Sequence, residues 1–170
     1  IREILIRACT SSTRKYINTF NRFNLNKFKN MENKNFWDNH YSKFTDQAPS
    51  PFCIYCMDKV LKTDDCLIEL GCGNGRDGME LMQVVNQYYG LDSSNQAINT
   101  FQQSINEKSG NIAKASLIKG DFSHFNFSEQ NIKERIAIYS RFSLHSINYE
   151  AQNRLLENIN NIKSKNWVCM

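Results

Sequence analysis

The chain has 170 residues, 41% of them hydrophobic and 22% charged, with a formal net charge of +4. That size and balance suit one globular domain with a single substantial core and exclude a fibrous or low-complexity chain. Residues 1–30 carry seven basic residues against Glu3 alone, a local +6, so the other 140 residues hold −2 and lack the electrostatic footprint of a nucleic-acid binder.

The basic arm at 1–30 is Arg-rich, contains Ser and Thr and is nearly free of acid. It reads as a disordered arm or as sequence upstream of the true start, because the first methionine is Met31. The same composition is that of an organelle transit peptide. Otherwise a cytoplasmic setting is expected, since six cysteines occur with no secretory signal, and no apolar run is long enough to span a membrane. The domain itself is expected over 31–170.

Pro49-Ser50-Pro51 punctuates the chain, and Cys53, Cys56, Met57 and Val60 follow at the spacing of one helical face. Both thiols lie on that apolar stripe and no second ligand pair stands at zinc spacing, so no metal site is predicted. Cys66–Leu70 reads as a strand that runs into Gly71-Cys72-Gly73-Asn74-Gly75. A helix is expected next, with Gly78, Leu81, Met82 and Val85 facing inward. Tyr88–Leu91 reads as a second strand, and Ala97, Ile98, Phe101 and Ile105 as the apolar face of a second helix in this series. Ser116–Lys119 and Ile136–Ser140 are further strands, Tyr149–Ile162 is a helix, and Trp167–Met170 opens a fifth strand. Short apolar strands alternating with helices predict an α/β fold, a doubly wound, Rossmann-like and mainly parallel sheet, with its ligand beyond the carboxyl ends of the strands.

Alternate glycines let the backbone take positive φ and admit a ligand against the main chain. Asp92 closes the second strand and can accept both hydroxyls of a ribose. A dinucleotide loop has the spacing Gly-x-Gly-x-x-Gly, whereas here Arg76 occupies the place of the third glycine. Glu69 and Asp77 also set negative charge where a pyrophosphate would lie. A cationic, phosphate-free adenosine cofactor suits the loop better, and a nicotinamide-dependent oxidoreductase is the weaker reading.

Glu69-x-Gly-x-Gly-x-Gly75, Asp92, Gly120-Asp121-Phe122 and Tyr139–Phe142 occur in the order and spacing of the class I S-adenosylmethionine-dependent methyltransferases, and over residues 34–170 the sequence resembles that family. The resemblance implies S-adenosyl-L-methionine as cofactor. It implies that Glu69, Gly71, Cys72, Gly73 and Gly75 form the cradle at the methionine end, with Asp92 and Ser93 at the ribose. Asp121 would accept the adenine amino group, the Phe122 main chain would read the ring edge, and Tyr139 and Ser140 would border the cofactor after the fourth strand. An N-terminal helix with Phe36, Trp37 and Tyr41 is expected to fold over the site, and Tyr41 or Ser50 to reach the methionine carboxylate.

His145, in the segment that should border the methyl group, is the expected base, and Arg141 is expected either to hold an anionic substrate or to pair with a neighbouring carboxylate. The Asn/Asp-Pro-Pro-aromatic motif of amino-directed nucleic-acid enzymes is absent, because Pro49 and Pro51 are the only prolines. The paired glutamates of arginine-modifying relatives are missing too. These features predict methyl transfer to a small-molecule acceptor, a hydroxyl and in one reading that of a sugar. The resemblance also implies seven strands, of which the chain reaches the fifth. A truncated sheet that a partner chain completes, or an inactive fragment that still binds the cofactor, is therefore the second expectation.

Overall fold

A computed structural model of the protein describes residues 37–39, 48–108, 114–127, 132–162 and 167–170. The arm at 1–30, Phe36 and Tyr41 lie outside these residues. In chain order the elements are α1 (Pro51–Lys59), β1 (Cys66–Leu70), α2 (Gly78–Leu81), β2 (Gln87–Asp92), α3 (Asn95–Glu107), β3 (Lys114–Lys119), β4 (Ile136–Tyr139), α4 (Tyr149–Asn160) and β5 (Trp167–Cys169). Short 3-10 turns occupy Phe122–His124 and Leu144–Ser146. Among the described residues, no helix is long and apolar enough to cross a membrane.

The five strands form one sheet in the order β3-β2-β1-β4-β5, and every pairing is parallel. The chain winds outward from β1 to β3, then returns to the other side of β1 for β4. The strand order therefore reverses between β1 and β4, and a crevice opens there beyond the carboxyl ends. All five residues of β1 and all four of β4 are buried, as central parallel strands covered on both faces require.

Alternation of side chains splits the core in two. On one face Leu67, Tyr88, Ala137 and Tyr139 pack with Cys53, Cys56, Leu81, Met82 and Phe101 from the helices. On the other, Ile68, Leu70, Leu91, Ile136 and Ile138 pack with Leu155 and Ile159 of α4 and with Phe122 and Phe127. The helices begin at capping side chains: the oxygens of Ser50, Ser94 and Asn148 accept the amide hydrogens of Cys53, Ala97 and Ala151.

The helix expected through Val85 is shorter than its periodicity suggested. It ends at Leu81, where the amides of Gln83 and Val84 bond three residues back, to Glu80 and Leu81, and tighten the turn. Asn86 and Gln87 then bond the Asp65 carbonyl at the head of β1, so the chain has to enter β2 without room for another turn. Leu81, Met82 and Val85 are buried even so.

At the amino end of the sheet, Arg135 donates to both carboxylate oxygens of Asp65, at 2.7 Å and 2.6 Å, and to the Val60 carbonyl at 3.0 Å. Asp65 is fully buried and Arg135 nearly so. Replacing one partner of such a pair strands the other charge, so Arg135→Met is expected to lower stability by about 3 kcal/mol or more, measured as the shift in the urea unfolding midpoint.

Candidate functional site: a cleft at the β1–β4 reversal

The crevice at the reversal point is a cleft of about 330 Å³. Its floor is the loop after β1: Gly71, Cys72, Gly73 and Asn74 line it, with Glu69 beneath. Gly71, Gly73 and Gly75 have φ of +73°, +56° and +86°, so the alternate glycines serve left-handed turns that other residues adopt only with strain. The amides of Gly71 and Cys72 bond the Leu91 carbonyl at 2.8 Å and 3.0 Å, which ties the loop to the end of β2.

Asp92 binds the loop from the β2 side. One carboxylate oxygen accepts the Gly73 amide at 2.9 Å and the other the Ser94 amide at 2.9 Å. Two bonds leave acceptor capacity on a carboxylate. Burial raises its pKa above the ordinary value, although the amides of Ser94, Gly73 and Ser93 pull it down. Glu69 lies opposite Gly90 and Tyr139 in the sheet and accepts the Tyr88 hydroxyl at 2.5 Å. Burial pushes its pKa up to about 8, against the opposing effect of the Tyr88 bond, with Asp77 adding to the rise. Two carboxyl groups in the cleft are thus poorly compensated as anions, and a cationic ligand would relieve both.

Asp77 is different. Its side chain is 4% exposed, and one oxygen accepts the Ser50 amide at 2.7 Å. The other accepts the Ser50 hydroxyl at 2.8 Å, the Tyr139 hydroxyl at 2.7 Å and Nε of Arg141 at 2.9 Å. Burial alone would raise its pKa, but these bonds and the Arg141 charge hold it below the ordinary 3.8. The negative charge that the sequence placed near the ligand is therefore paired with Arg141, which is one of the two roles expected of that arginine.

Glu69, Gly71, Cys72, Gly73, Asp92, Ser93, Phe122 and Arg141 all line the cleft. Six other expected site residues do not, each held by packing or by hydrogen bonds elsewhere. Gly75 faces Phe101, where a Cβ would approach Cδ2 to 2.2 Å, so it seats the loop on α3. Tyr139 is fully buried with its hydroxyl on Asp77 and its ring stacked on Phe52 at 5.4 Å. Ser140 shares a 2.7 Å hydrogen bond with Ser143. Asp121, partly exposed, accepts the Ser123 amide at 2.8 Å and lies 3.1 Å from Nδ1 of His124, and those bonds hold its pKa below the usual carboxylate value against burial. His145 is half-buried behind Phe142, with ring centroids 5.9 Å apart. Ser50, expected to reach a carboxylate on the ligand, is committed to Asp77 and to capping α1.

Ser143 and Ser146 line the cleft without a distinct signal in the sequence, and Asn74, Arg76 and Phe142, which stood in the loop and motif without an assigned role, line it as well. Trp37, an expected lid residue, does line the cleft. The next residue, Asp38, accepts the hydroxyl of Ser94 and the Gln96 amide, which fixes Trp37 next to Asp92. Phe142 adopts φ +59° and is 64% exposed. A bulky side chain in that region is strained, and here little burial offsets it.

The Asp77 stabilisation is present above pH 3.8 and is lost as pH falls through the lower folded-state value. Asp77→Asn is therefore expected to cost about 2 kcal/mol at pH 7, a gap that narrows below about pH 4 in urea titrations. Phe142→Gly is expected to unfold at a higher temperature than Phe142→Ala, the reverse of the order at an ordinary exposed position, because glycine alone removes the left-handed strain.

Among families of known proteins, the one described as a methyltransferase domain matches residues 67–165, more than half of the chain. No curated protein matches at the same standard. Among solved structures, DhpI in a DhpI-SAM-HEP complex is similar at 12% identity and a TM-score of 0.58, over 79% of this chain and 61% of that one. The N-methyltransferase NodS from Bradyrhizobium japonicum WM9, in complex with S-adenosyl-l-homocysteine, aligns at 14% identity and 0.54, over 66% and 54%. An rRNA methylase from Streptococcus thermophilus aligns at 17% and 0.51, over 71% and 67%. The chain spans about half the length of the first solved relatives, 45% of one and 48% of another. With its glycine loop, Asp92 and every cleft-lining residue except Trp37 inside the matched span, the chain belongs to the methyltransferase-domain family.

Proposed function

We propose that the cleft holds S-adenosylmethionine and that the protein transfers its methyl group to a small-molecule hydroxyl, with a sugar hydroxyl as one acceptor of that kind. The observation that carries the reading is the pair of buried, under-compensated carboxyl groups, Glu69 and Asp92, on a glycine cradle. Such a donor set fits a ligand that brings an ammonium, a sulfonium and a ribose diol, and repels a pyrophosphate.

In this reading Glu69 takes up the ammonium as a carboxylate, and Asp92 accepts from the ribose hydroxyls with the lone pairs that Gly73 and Ser94 leave free. Gly73 and Cys72 let the ligand lie against the main chain, and Phe122 packs the base. Bound there, S-adenosylmethionine supplies an electrophilic methyl group, so orientation of the acceptor by the loop after β4 provides much of the rate. His145 is the base nearest to this loop; it does not line the cleft, so it takes the acceptor's hydroxyl proton only when Phe142, whose ring centroid lies 5.9 Å away, moves aside. Burial lowers its pKa below 6.5, so the neutral, basic imidazole prevails at pH 7. The −2 balance of residues 31–170 supports a small acceptor over a polyanion.

Calorimetric titration with S-adenosylhomocysteine tests the cofactor reading. Binding is expected to release protons near pH 7 and to tighten as pH rises towards about 8, by up to about tenfold per pH unit, because Glu69 has to ionise. Glu69→Gln should flatten that profile, and Asp92→Ala should weaken binding at every pH. No binding by the unmodified chain would overturn the reading. Turnover with an accepted hydroxyl substrate is expected to fall as pH drops through the lowered His145 value, and His145→Ala should abolish that limb.

A further inference from the structure

We propose that Arg141 is a carboxylate receptor in the cleft, gripping a ligand carboxylate through the two terminal amino groups of its guanidinium. The proposal rests on the cofactor reading above and names a further anchoring point of the same site. Its basis is a guanidinium whose orientation is fixed from two sides while its fork stays unused.

The first restraint is electrostatic. Nε donates to Asp77 at 2.9 Å, and Asp77 is itself held by Ser50 and Tyr139. The second is the ring of Phe142, whose centroid lies 5.0 Å from the guanidinium carbon. A guanidinium has five N–H donors, and Nε uses one. Neither terminal amino group of Arg141 has a hydrogen-bond partner among the described residues. Arg141 nevertheless lines the cleft and is about one quarter exposed. A preorganised, partly exposed fork of this kind matches the two oxygens of a carboxylate.

Charge distribution selects the same class of ligand. Three carboxyl groups line the cleft, Glu69, Asp77 and Asp92. Of the two lining arginines, both partly buried, Arg76 donates Nε to the Ala48 carbonyl, and Arg141 is the one bonded to a carboxylate of the buried network. A carboxylate on the Arg141 fork brings one negative charge near these acids where a phosphate dianion brings two, so the smaller charge is favoured. The left-handed Phe142 fits the arrangement, because its strain places an aromatic face beside the guanidinium instead of in the core.

Two ligands can bring the carboxylate: the amino-acid end of the cofactor, with its ammonium towards Glu69, or an acceptor that carries an acid on a flat apolar body. Calorimetry separates them. In the first case, unmodified protein should bind S-adenosylhomocysteine about tenfold or more tighter than its decarboxylated analogue, and Arg141→Gln should erase the difference. In the second, S-adenosylhomocysteine should bind both proteins equally. The loaded unmodified protein should then prefer 4-hydroxybenzoate over 4-hydroxybenzamide by about tenfold, a preference lost in Arg141→Gln and weakened in Phe142→Ala. The paired-ligand comparison on unmodified protein needs no variant, so a folding defect in Arg141→Gln cannot mask the answer. Binding of S-adenosylhomocysteine with no carboxylate preference in either arm overturns the assignment of Arg141 alone. No binding at all overturns the cofactor reading and this one with it.

Discussion

The architecture of the cleft depends on one buried carboxylate. Asp77 sits just beyond the glycine loop, and its oxygens collect donors from the chain before α1, from the end of β4 and from the loop after it. The Phe52–Tyr139 stack also joins α1 to β4, and Asp77 adds the polar link between these segments. Without an anion there, the buried Tyr139 hydroxyl would lose its close acceptor, a penalty of about 1–3 kcal/mol, and the partly exposed Arg141 would lose its ion-pair partner. The carboxylate is thus both ligand and template: it is stabilised by the parts it assembles, and it sets the gap between β1 and β4 in which a molecule can lie.

The opposite end of the same two strands carries a matching device. Arg135 and Asp65 join the heads of β4 and β1, while Asp77 joins their tails through Tyr139 and Arg141. Between them the strands pair from Cys66 and Ile136 to Glu69 and Tyr139. The crevice at a reversal of strand order arises from topology, since no crossover covers it. The two charge pairs flank the β1–β4 pairing at its ends, and the apolar layers pack on the two faces between them.

Much of this could be read from the chain itself. The strand and helix positions followed from apolar periodicity, and the loop's role followed from three alternate glycines with Asp92 at the end of the next strand. Those signals are local. What stayed hidden is pairing over distance: Asp77 looked like a free negative charge, because its partners lie 27, 62 and 64 residues away. Tyr139 and Ser140 were read as cleft residues from their place after β4, but a strand end offers two faces, and the hydroxyl of Tyr139 goes to the one occupied by Asp77. The overlong α2 had a similar cause. Its apolar spacing is real, and the Asp65 carbonyl, which captures Asn86 and Gln87, decides where the helix has to stop.

Cys72 brings a different consequence. Its thiol lies in the wall of the cleft, and burial with the nearby carboxyl groups of Glu69 and Asp92 pushes its pKa well above the ordinary value. Sulfur attacks carbon electrophiles as the thiolate, and a thiol kept protonated is inert. A pocket proposed to store an alkylating agent therefore has beside it a nucleophile that is switched off by the same acidic surroundings that favour a cationic guest. On that reading the protonated thiol sits beside the methyl donor without competing for the methyl group, and its small side chain suits the tight turn between Gly71 and Gly73.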